Sequence, residues 1–505
     1  MAEQGQQGVT YEKVGDEYFA QRKLRRHAGV FSLWALGVGA VISGQFSGWN
    51  YGLEFGWGSM FVATVIITIM YIGLTYSIAE MSPALPHTGG AYSFARSALG
   101  PWGGFVTGVA ENIEYVVTPA VVVYFIGAYV SGILQFAGVM EDATALQPLF
   151  WLGGYLIFVG FNLFGVELSF RVTMVVTLMA LACLAVFYVA AIPSFDFTRW
   201  AMNVGVAPDG TTVELTDGSG VWFPRGFDGV LAALPFAVWL YLAIEQLPLA
   251  AEESADPKRD MPKGILYGML TLGVSAFLVL ILNSGIAPGS FGLRASGEPL
   301  LEGFRTLFGK ELAILLSLVA ITGLVASFHA IIYAYGRQIY SLSRAGYFPR
   351  FLSVTHGSHQ TPQAALIAGA VAGFGIMALI WFSNDQATRN TIIGTYLLNM
   401  AVFGAMISYV FQALAFIVLR LRMPHIERPY RSPFGIPGAA VTLVIASFTI
   451  AFQFIRDDFR EPVLWVAIYY ALMIVYFALV GRSQLVLSPE EEFAMAKGKG
   501  EYKTH

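Results

Sequence analysis

Glu111, Glu114 and Glu245 each lie inside a long apolar run. An acid at the centre of a bilayer costs about 2.5–3.5 kcal/mol on insertion scales, so intramembrane acids usually mark function. A carboxylate there can bind an ammonium group, carry a proton, or pair structurally. Glu111 and Glu114 are spaced i, i+3 and share a helix face. At about 1.5 Å per residue they sit roughly 9 and 14 Å past Phe105, within a core about 30 Å thick. For Glu114 a structural hydrogen bond to a neighbouring helix is the main competitor. His329 interrupts another apolar run; a packing role is the default, and proton transfer the sharper alternative. Phe46, Trp49, Tyr115, Trp239 and Tyr241 supply rings for cation–π contact or for a gate. Aromatics are 14% of the chain, so a nearby ring alone is weak evidence.

Membrane helices must position these groups. The 505 residues are only 12% charged and 56% hydrophobic, with a mean hydropathy of +0.62. A soluble fold of this size has too few charges to cover so much apolar surface. Soluble enzymes, disordered scaffolds and nucleic-acid binders are excluded, and a net charge of −4 leaves no polyanion footprint. Apolar runs predict twelve spans: Val30–Leu53, Trp57–Ile78, Phe105–Ile133, Pro148–Phe164, Val172–Ile192, Val230–Leu249, Ile265–Ile286, Leu312–Tyr335, Ala364–Trp381, Thr391–Leu419, Ile436–Phe454 and Pro462–Val480. No run alternates strictly over ten residues, which argues against a β-barrel. No cleavable leader is expected.

An even number of spans puts both termini on one side. With the termini inside, inner segments carry 21 Lys and Arg against 8 outside, so the positive-inside rule places the termini in the cytoplasm. Pro193–Asp228 reads as a solvated outer loop, and Ser488–His505 as a charged, mobile tail. The single cysteine, Cys183, reads as a small buried apolar residue.

Two spans look interrupted. The first contains Gly37, Gly39, Ser43, Gly44, Gln45, Ser47 and Gly48 within twelve residues. Small residues permit close helix packing; alternatively, they mark a discontinuous helix whose free backbone groups face a cavity. The sixth span carries Pro235, then Trp239, Tyr241, Ala243, Glu245 and Pro248. Interrupted helices five spans apart are the signature of a five-plus-five inverted repeat, and they point to a substrate site.

Ordered motifs then carry a family resemblance. Ala79-Glu80-Met81-Ser82-Pro83, through His87-Thr88-Gly89-Gly90, to Leu99-Gly100-Pro101 resembles the second-to-third-helix signature of the amino acid–polyamine–organocation (APC) transporters. Glu252-Glu253 through Pro262, Tyr335-Gly336-Arg337 through Pro349, and Arg428-Pro429-Tyr430-Arg431 resemble later segments of the same superfamily. Gly108 through Tyr115, together with the unusual first span, resembles the ethanolamine permease family most. The resemblance implies that Glu245 matches a glutamate used in pH-dependent transport, and that Trp239 matches an aromatic that stacks on substrate. It also implies a small-residue segment in the first span whose backbone N–H groups bind a substrate carboxylate. Here Gln45 replaces the last glycine of that segment. A glutamine crowds a carboxylate and can bond a hydroxyl instead, which favours a substrate without an α-carboxylate. Some proton-coupled relatives place a lysine in helix five; Val172–Ile192 has no Lys or Arg, so that coupling mechanism is in doubt.

The expected fold is therefore all-α and integral to the membrane, with about twelve helices in a leucine-transporter-type five-plus-five inverted repeat and two additional helices. The expected division is a cytoplasmic segment 1–29, a ten-helix core 30–420, helices 11 and 12 within 421–482, and a tail 483–505. The expected function is a secondary transporter importing ethanolamine or a similar small amino alcohol across the cytoplasmic membrane by alternating access, with proton coupling open. An amino-acid or polyamine carrier or exchanger is the alternative within transport; a membrane amine sensor is the alternative outside it. Ser43, Gly44, Gln45, Phe46, Glu111, Tyr115, Trp239, Tyr241, Ala243 and Glu245 are the expected substrate-binding residues. Glu111, Glu114, Glu245 and His329 are the candidates for proton coupling. Partners are the small amine, protons and the bilayer, with no nucleic acid. No cofactor, metal or catalytic residue is expected, since the chain has no His-Glu-x-x-His, Gly-x-Ser-x-Gly or Walker motif.

Overall fold

Eleven helices among the described residues are long and apolar enough to cross a membrane, and a bent pair makes twelve. The computed structural model describes residues 3–385, 388–389 and 392–496. Span 1 is the bent pair Val30–Phe46 and Trp49–Phe55. Spans 2 to 6 are Trp57–Ala84, Pro101–Ala137, Thr144–Leu163, Glu167–Ser194 and Gly226–Glu253. Spans 7 to 12 are Pro257–Ser284, Lys310–Arg344, Gln363–Ser383, Ile392–Arg422, Gly435–Ile455 and Arg460–Ser483. Each expected run falls on one of them, Pro148–Phe164 and Ile265–Ile286 overrunning the helix end by one and two residues; Thr391 falls outside the described residues. Helix is the natural answer here, because a bilayer offers backbone groups no water to bond.

Several helices outrun the apolar stretches that announced them. Span 3 extends past Phe105–Ile133 at both ends, and span 8 continues nine residues beyond Tyr335 to Arg344. Hydropathy marks only where the chain meets lipid; the backbone keeps its helix until something stops it. Span 3 starts on Pro101 and stops at Gly138, whose φ of 77° and backbone N–H bonds cap the last turn.

Spans 3 and 6 are the most enclosed, and spans 4 and 12 the least. Span 3 packs on spans 8 and 10, span 1 on spans 5, 7 and 8, and span 2 on spans 6 and 7. Leu464, Trp465, Leu472 and Leu479 of span 12 remain exposed, as a lipid-facing surface requires. Cys183 is buried, as expected.

Both spans that look interrupted in the sequence are interrupted, span 1 at Ser47–Gly48 and span 6 just ahead of Glu245. In span 1 helix runs from Val30 to Val41, and a single turn follows at Ser43–Phe46. Ser47 is extended, and Gly48 takes a φ of 95° that an L side chain rarely adopts. The remainder, Trp49–Phe55, departs at 41°. Gly37, Gly39 and Gly44 are packing glycines: a Cβ there would strike Leu247, Thr177 and the Trp239 carbonyl. In span 6 helix continues through Pro235 to Trp239, and the break comes later, at Leu240–Ala243. Ala243 ends it at φ 81°, a left-handed conformation costing roughly 1–2 kcal/mol for a residue with a Cβ.

Both terminal segments meet at one end of the bundle, called here the terminal side. Glu3–Gln4 pairs antiparallel with Thr10–Glu12, which pairs in parallel with Leu485–Val486. The expected mobile tail is in part an ordered helix, Pro489–Ala496, with Ser488, Glu490, Glu491 and Ala494 buried. Its acids find arginines on other elements, a long-range match that local composition cannot reveal. On the opposite side, the loop after span 5 holds a hairpin, Val204–Val206 with Thr212–Glu214. That loop lays Trp222 edge-on against Trp57, with ring centroids 5.3 Å apart.

Candidate functional site

The two breaks face each other at the centre of the bundle. Gly44 sits against the Trp239 carbonyl, and Gly48 lies under the Trp239 indole. Trp239 Nε1 donates to the Ser47 carbonyl at 3.0 Å, and Tyr129 OH of span 3 donates to the Phe46 carbonyl at 2.6 Å. These bonds satisfy carbonyls that a continuous helix would have used itself.

Gln45 reaches across the gap. Its Nε2 donates to the Leu240 carbonyl at 3.1 Å, while its Oε1 is buried without a partner. Several backbone N–H groups around it are taken. Ser43 N–H donates to Ser327 Oγ at 2.8 Å, and Ser327 Oγ donates to the Gly39 carbonyl at 2.8 Å. The N–H groups of Ile42, Gln45 and Ser47 bond carbonyls of their own helix, and Gly48 N–H bonds Asn50 Oδ1. Five N–H groups that could meet a carboxylate therefore already have acceptors.

Span 3 and the inner half of span 6 bring the three acids together. Glu245 Oε2 accepts from Tyr409 OH of span 10 at 2.7 Å, and its Oε1 accepts from Tyr115 OH at 3.3 Å. Tyr115 OH also makes a long 3.5 Å contact with Glu111 Oε1. Glu111 Oε2 accepts from Gln338 Nε2 of span 8 at 2.8 Å. Glu114 meets no N–H or O–H donor; its carboxyl instead faces that of Glu245. All three acids are buried, at no more than 1% exposure. Among the described residues, none of the three forms an ion pair.

Rings ride on the opposite-side flank of this cluster. Phe125, three helical turns beyond Glu114 on span 3, stands edge-on to Trp239 with centroids 6.5 Å apart. Tyr51 links Phe125 at 6.4 Å and Phe236 at 6.2 Å. A cation approaching from that side would pass rings before reaching acids.

Not every expected residue joins the centre. Ser43, Gly44, Gln45, Phe46, Trp239 and Ala243 form the paired breaks, and Glu111, Glu114, Tyr115 and Glu245 form the acid cluster. Phe46 lays its ring against Gly323 of span 8. Tyr241 turns toward span 2, where its hydroxyl meets Thr68 Oγ1 at 2.7 Å. It reaches the cluster only indirectly, packing at a tilt with its ring 5.1 Å from that of Tyr71, whose hydroxyl lies 3.0 Å from Tyr409 OH. Trp49 is buried with its Nε1 unpartnered. His329 lies elsewhere. Its Nδ1 meets Asn162 at 3.0 Å and its Nε2 meets Ser169 at 3.1 Å, on spans 4 and 5. It precedes Gln338 by nine residues, which at about 100° per residue puts the two on opposite faces of span 8.

Tyr409, Tyr71, Gln338, Ser327 and Tyr129 belong to the site and were missed. Gln338 and Ser327 had a usable signal, a polar side chain in a membrane helix. The tyrosines had none among 24 in the chain.

Known proteins agree with this architecture. The amino acid permease family model matches residues 32–482. An uncharacterized transporter of Rhizobium meliloti is 26% identical over 438 residues, covering 84% of this chain and 86% of its own length. The branched-chain amino acid permease of Bacillus subtilis is 22% identical, with 83% and 85% covered. The D-serine/D-alanine/glycine transporter of Escherichia coli (strain K12) is 21% identical, with 93% and 97% covered. A match spanning nearly the whole membrane domain, on a bundle with two broken helices, places this chain in the amino acid permease family.

Proposed function

We propose that this secondary transporter carries a small organic amine, with ethanolamine or a similar amino alcohol as the substrate class. One observation carries the proposal: Glu111, Glu114 and Glu245 converge in a buried centre, with no ion pair to an arginine or lysine among the described residues. Three carboxylates so close need positive charge, as an ammonium group or as protons. An amine entering beside Glu114 and Glu245 would supply it, with Trp239 and Phe125 on its flank. Protons leaving the acids as the amine binds would give exchange, and a proton retained beside it would give symport.

Gln45 supports the same class. Its amide reaches across the gap between the breaks, and the N–H groups of Ile42, Ser43, Gln45, Ser47 and Gly48 are occupied, so an α-carboxylate would find crowding and few free donors. Its free Oε1 suits a substrate hydroxyl. We place the termini in the cytoplasm and the protein in the cytoplasmic membrane, on the charge asymmetry of its loops. The paired breaks five spans apart support a five-plus-five inverted repeat that rocks between two accessible states. An amino-acid substrate is the second reading, favoured by relatives whose names specify amino acids.

Uptake of labelled ethanolamine into proteoliposomes, competed separately by alanine, serine, arginine and putrescine, tests the proposal. Saturable uptake blocked only by small amino alcohols is expected. Transport of an amino acid with no ethanolamine uptake would overturn the substrate and keep the family.

A further inference from the structure

We propose that the segment Leu485–Ala496 is a strap that holds the terminal side of the transport path closed, and that it must loosen for that side to open. The inference rests on the alternating-access reading above, but its test needs no substrate.

The strap is built into the fold at both ends. Leu485–Val486 forms the third strand of the terminal sheet, and Val486 N–H also bonds the Ala345 carbonyl at 2.9 Å, just past span 8. The helix that follows, Pro489–Ala496, drives two glutamates inward. Glu491 gathers four donors. Arg96 Nε lies 2.5 Å from it, Tyr11 OH 2.7 Å, Tyr92 OH 2.9 Å and Tyr347 OH 3.0 Å. Those residues come from the helix Gly90–Leu99, from the N-terminal strand and from the exit of span 8. Glu490 takes Arg344 at 2.9 Å and Ser341 Oγ at 3.2 Å, both on span 8. A single segment thus clasps three elements through charge-assisted bonds between buried groups, where such bonds are strongest.

Arg344 carries the strap to the site. The same guanidinium bonds both oxygens of Glu252, at 2.7 and 3.0 Å. Glu252 also accepts from Thr88 N–H at 3.1 Å. It stands near the end of Ile244–Glu253, the helical rod whose second residue is Glu245. Span 1 begins on that rod's far end: His27 and Ala28 N–H groups bond the Glu253 carbonyl, and Ala28 bridges Ser254. Opening the terminal side means moving this rod and the start of span 1 away from span 8. That movement must part Glu252 from Arg344 while the strap anchors Arg344 from the other side. The strap therefore adds to the barrier that keeps this end closed.

The test is reporter accessibility in the full chain, in nanodiscs, with Cys183→Ala and Ala251→Cys, whose site is fully buried on the rod. In Glu490→Gln with Glu491→Gln, maleimide labelling of position 251 is expected to quicken by at least about tenfold, since weakening even one charge-assisted bond is worth that much. Tyr92→Phe with Tyr347→Phe removes two donors to Glu491 and keeps every charge; it is expected to quicken labelling less. This second pair keeps the proposal falsifiable where the first fails to fold, as judged by monodispersity. Unchanged labelling in a folded variant of either pair overturns the strap, whatever the substrate proves to be. Quickened labelling with no ethanolamine uptake would retain the strap and reject only the substrate.

Discussion

Two groups of buried acids divide this molecule. On the terminal side Glu80, Glu252, Glu253, Glu490 and Glu491 each lie against an arginine: Arg420 and Arg428, Arg344, Arg337, Arg344 again, and Arg96. At the centre Glu111, Glu114 and Glu245 have tyrosines, one glutamine and each other. Glu80, Glu253, Glu490 and Glu491 are buried as deeply as the central three, while Glu252 is partly exposed, so burial alone does not mark function. What differs is the compensating charge. A protein that matches its acids has used them as structure; one that leaves three unmatched has kept room for a cation from outside.

That difference can be broken by experiment. The largest expected effect is on the matched side. Arg337→Ala strands Glu253, which Arg337 Nη2 holds at 2.7 Å and which Tyr333 also bonds. Such a break costs about 3–5 kcal/mol, and chemical denaturation should show it. A loss below about 1 kcal/mol would mean that these pairs are no more structural than the central acids.

The next effect is on the unmatched side and reads out in transport. Glu245→Gln is expected to lower concentrative uptake at least about tenfold while leaving stability unchanged or slightly raised, because it removes an uncompensated charge. Wild-type uptake would make Glu245 structural and erase the contrast. Gln45→Gly sharpens the contrast by a smaller margin. It opens the gap at Leu240 and is expected to shift preference toward carboxylate-bearing competitors by about five- to tenfold, one hydrogen bond's worth. Unchanged selectivity would remove Gln45 from the substrate argument.

Glu298 is an intermediate case with the smallest effect. It lies between spans 7 and 8, bonds Arg305 at 2.9 Å, and leaves its Oε2 buried without a donor. Burial raises it from its ordinary 4.5 to about 7, with Arg305 opposing and Glu302 adding. The folded state thus holds this proton more tightly than the unfolded state. Its stabilising contribution is full below the unfolded value and is lost as pH rises through about 7. Thermal melts at pH 5 and 8 should show that decline, and Glu298→Gln should flatten it. An identical slope in the variant would assign the pH dependence elsewhere.

Much of this contrast was written locally. Twelve apolar runs located the spans, and the i, i+3 spacing put Glu111 and Glu114 on one face. Gly48 and the Trp239–Glu245 stretch flagged the two broken helices. Local cues were also incomplete. Pro235 is not itself the break in span 6: helix passes through it to Trp239, and the chain parts at Leu240–Ala243, just ahead of Glu245. His329 reads by default as a packing histidine with proton transfer the sharper alternative; the structure sets it against Asn162 and Ser169, on the face of span 8 away from Gln338 and the acids. The tail looked mobile because its charges were counted without their partners.

The sequence by itself determined that this chain lives in a membrane, how many times it crosses, and which polar groups it carries into the bilayer. Those properties are local: hydropathy, helix period and backbone breaks depend on residues within a few turns. Only the tertiary structure decided which acids are matched. Arg96 meets Glu491 across 395 positions, and Tyr409 meets Glu245 across 164. No short-range pattern links residues so far apart; packing helices against one another brings them within bonding distance, and the charge left unpaired afterwards is where a cation belongs.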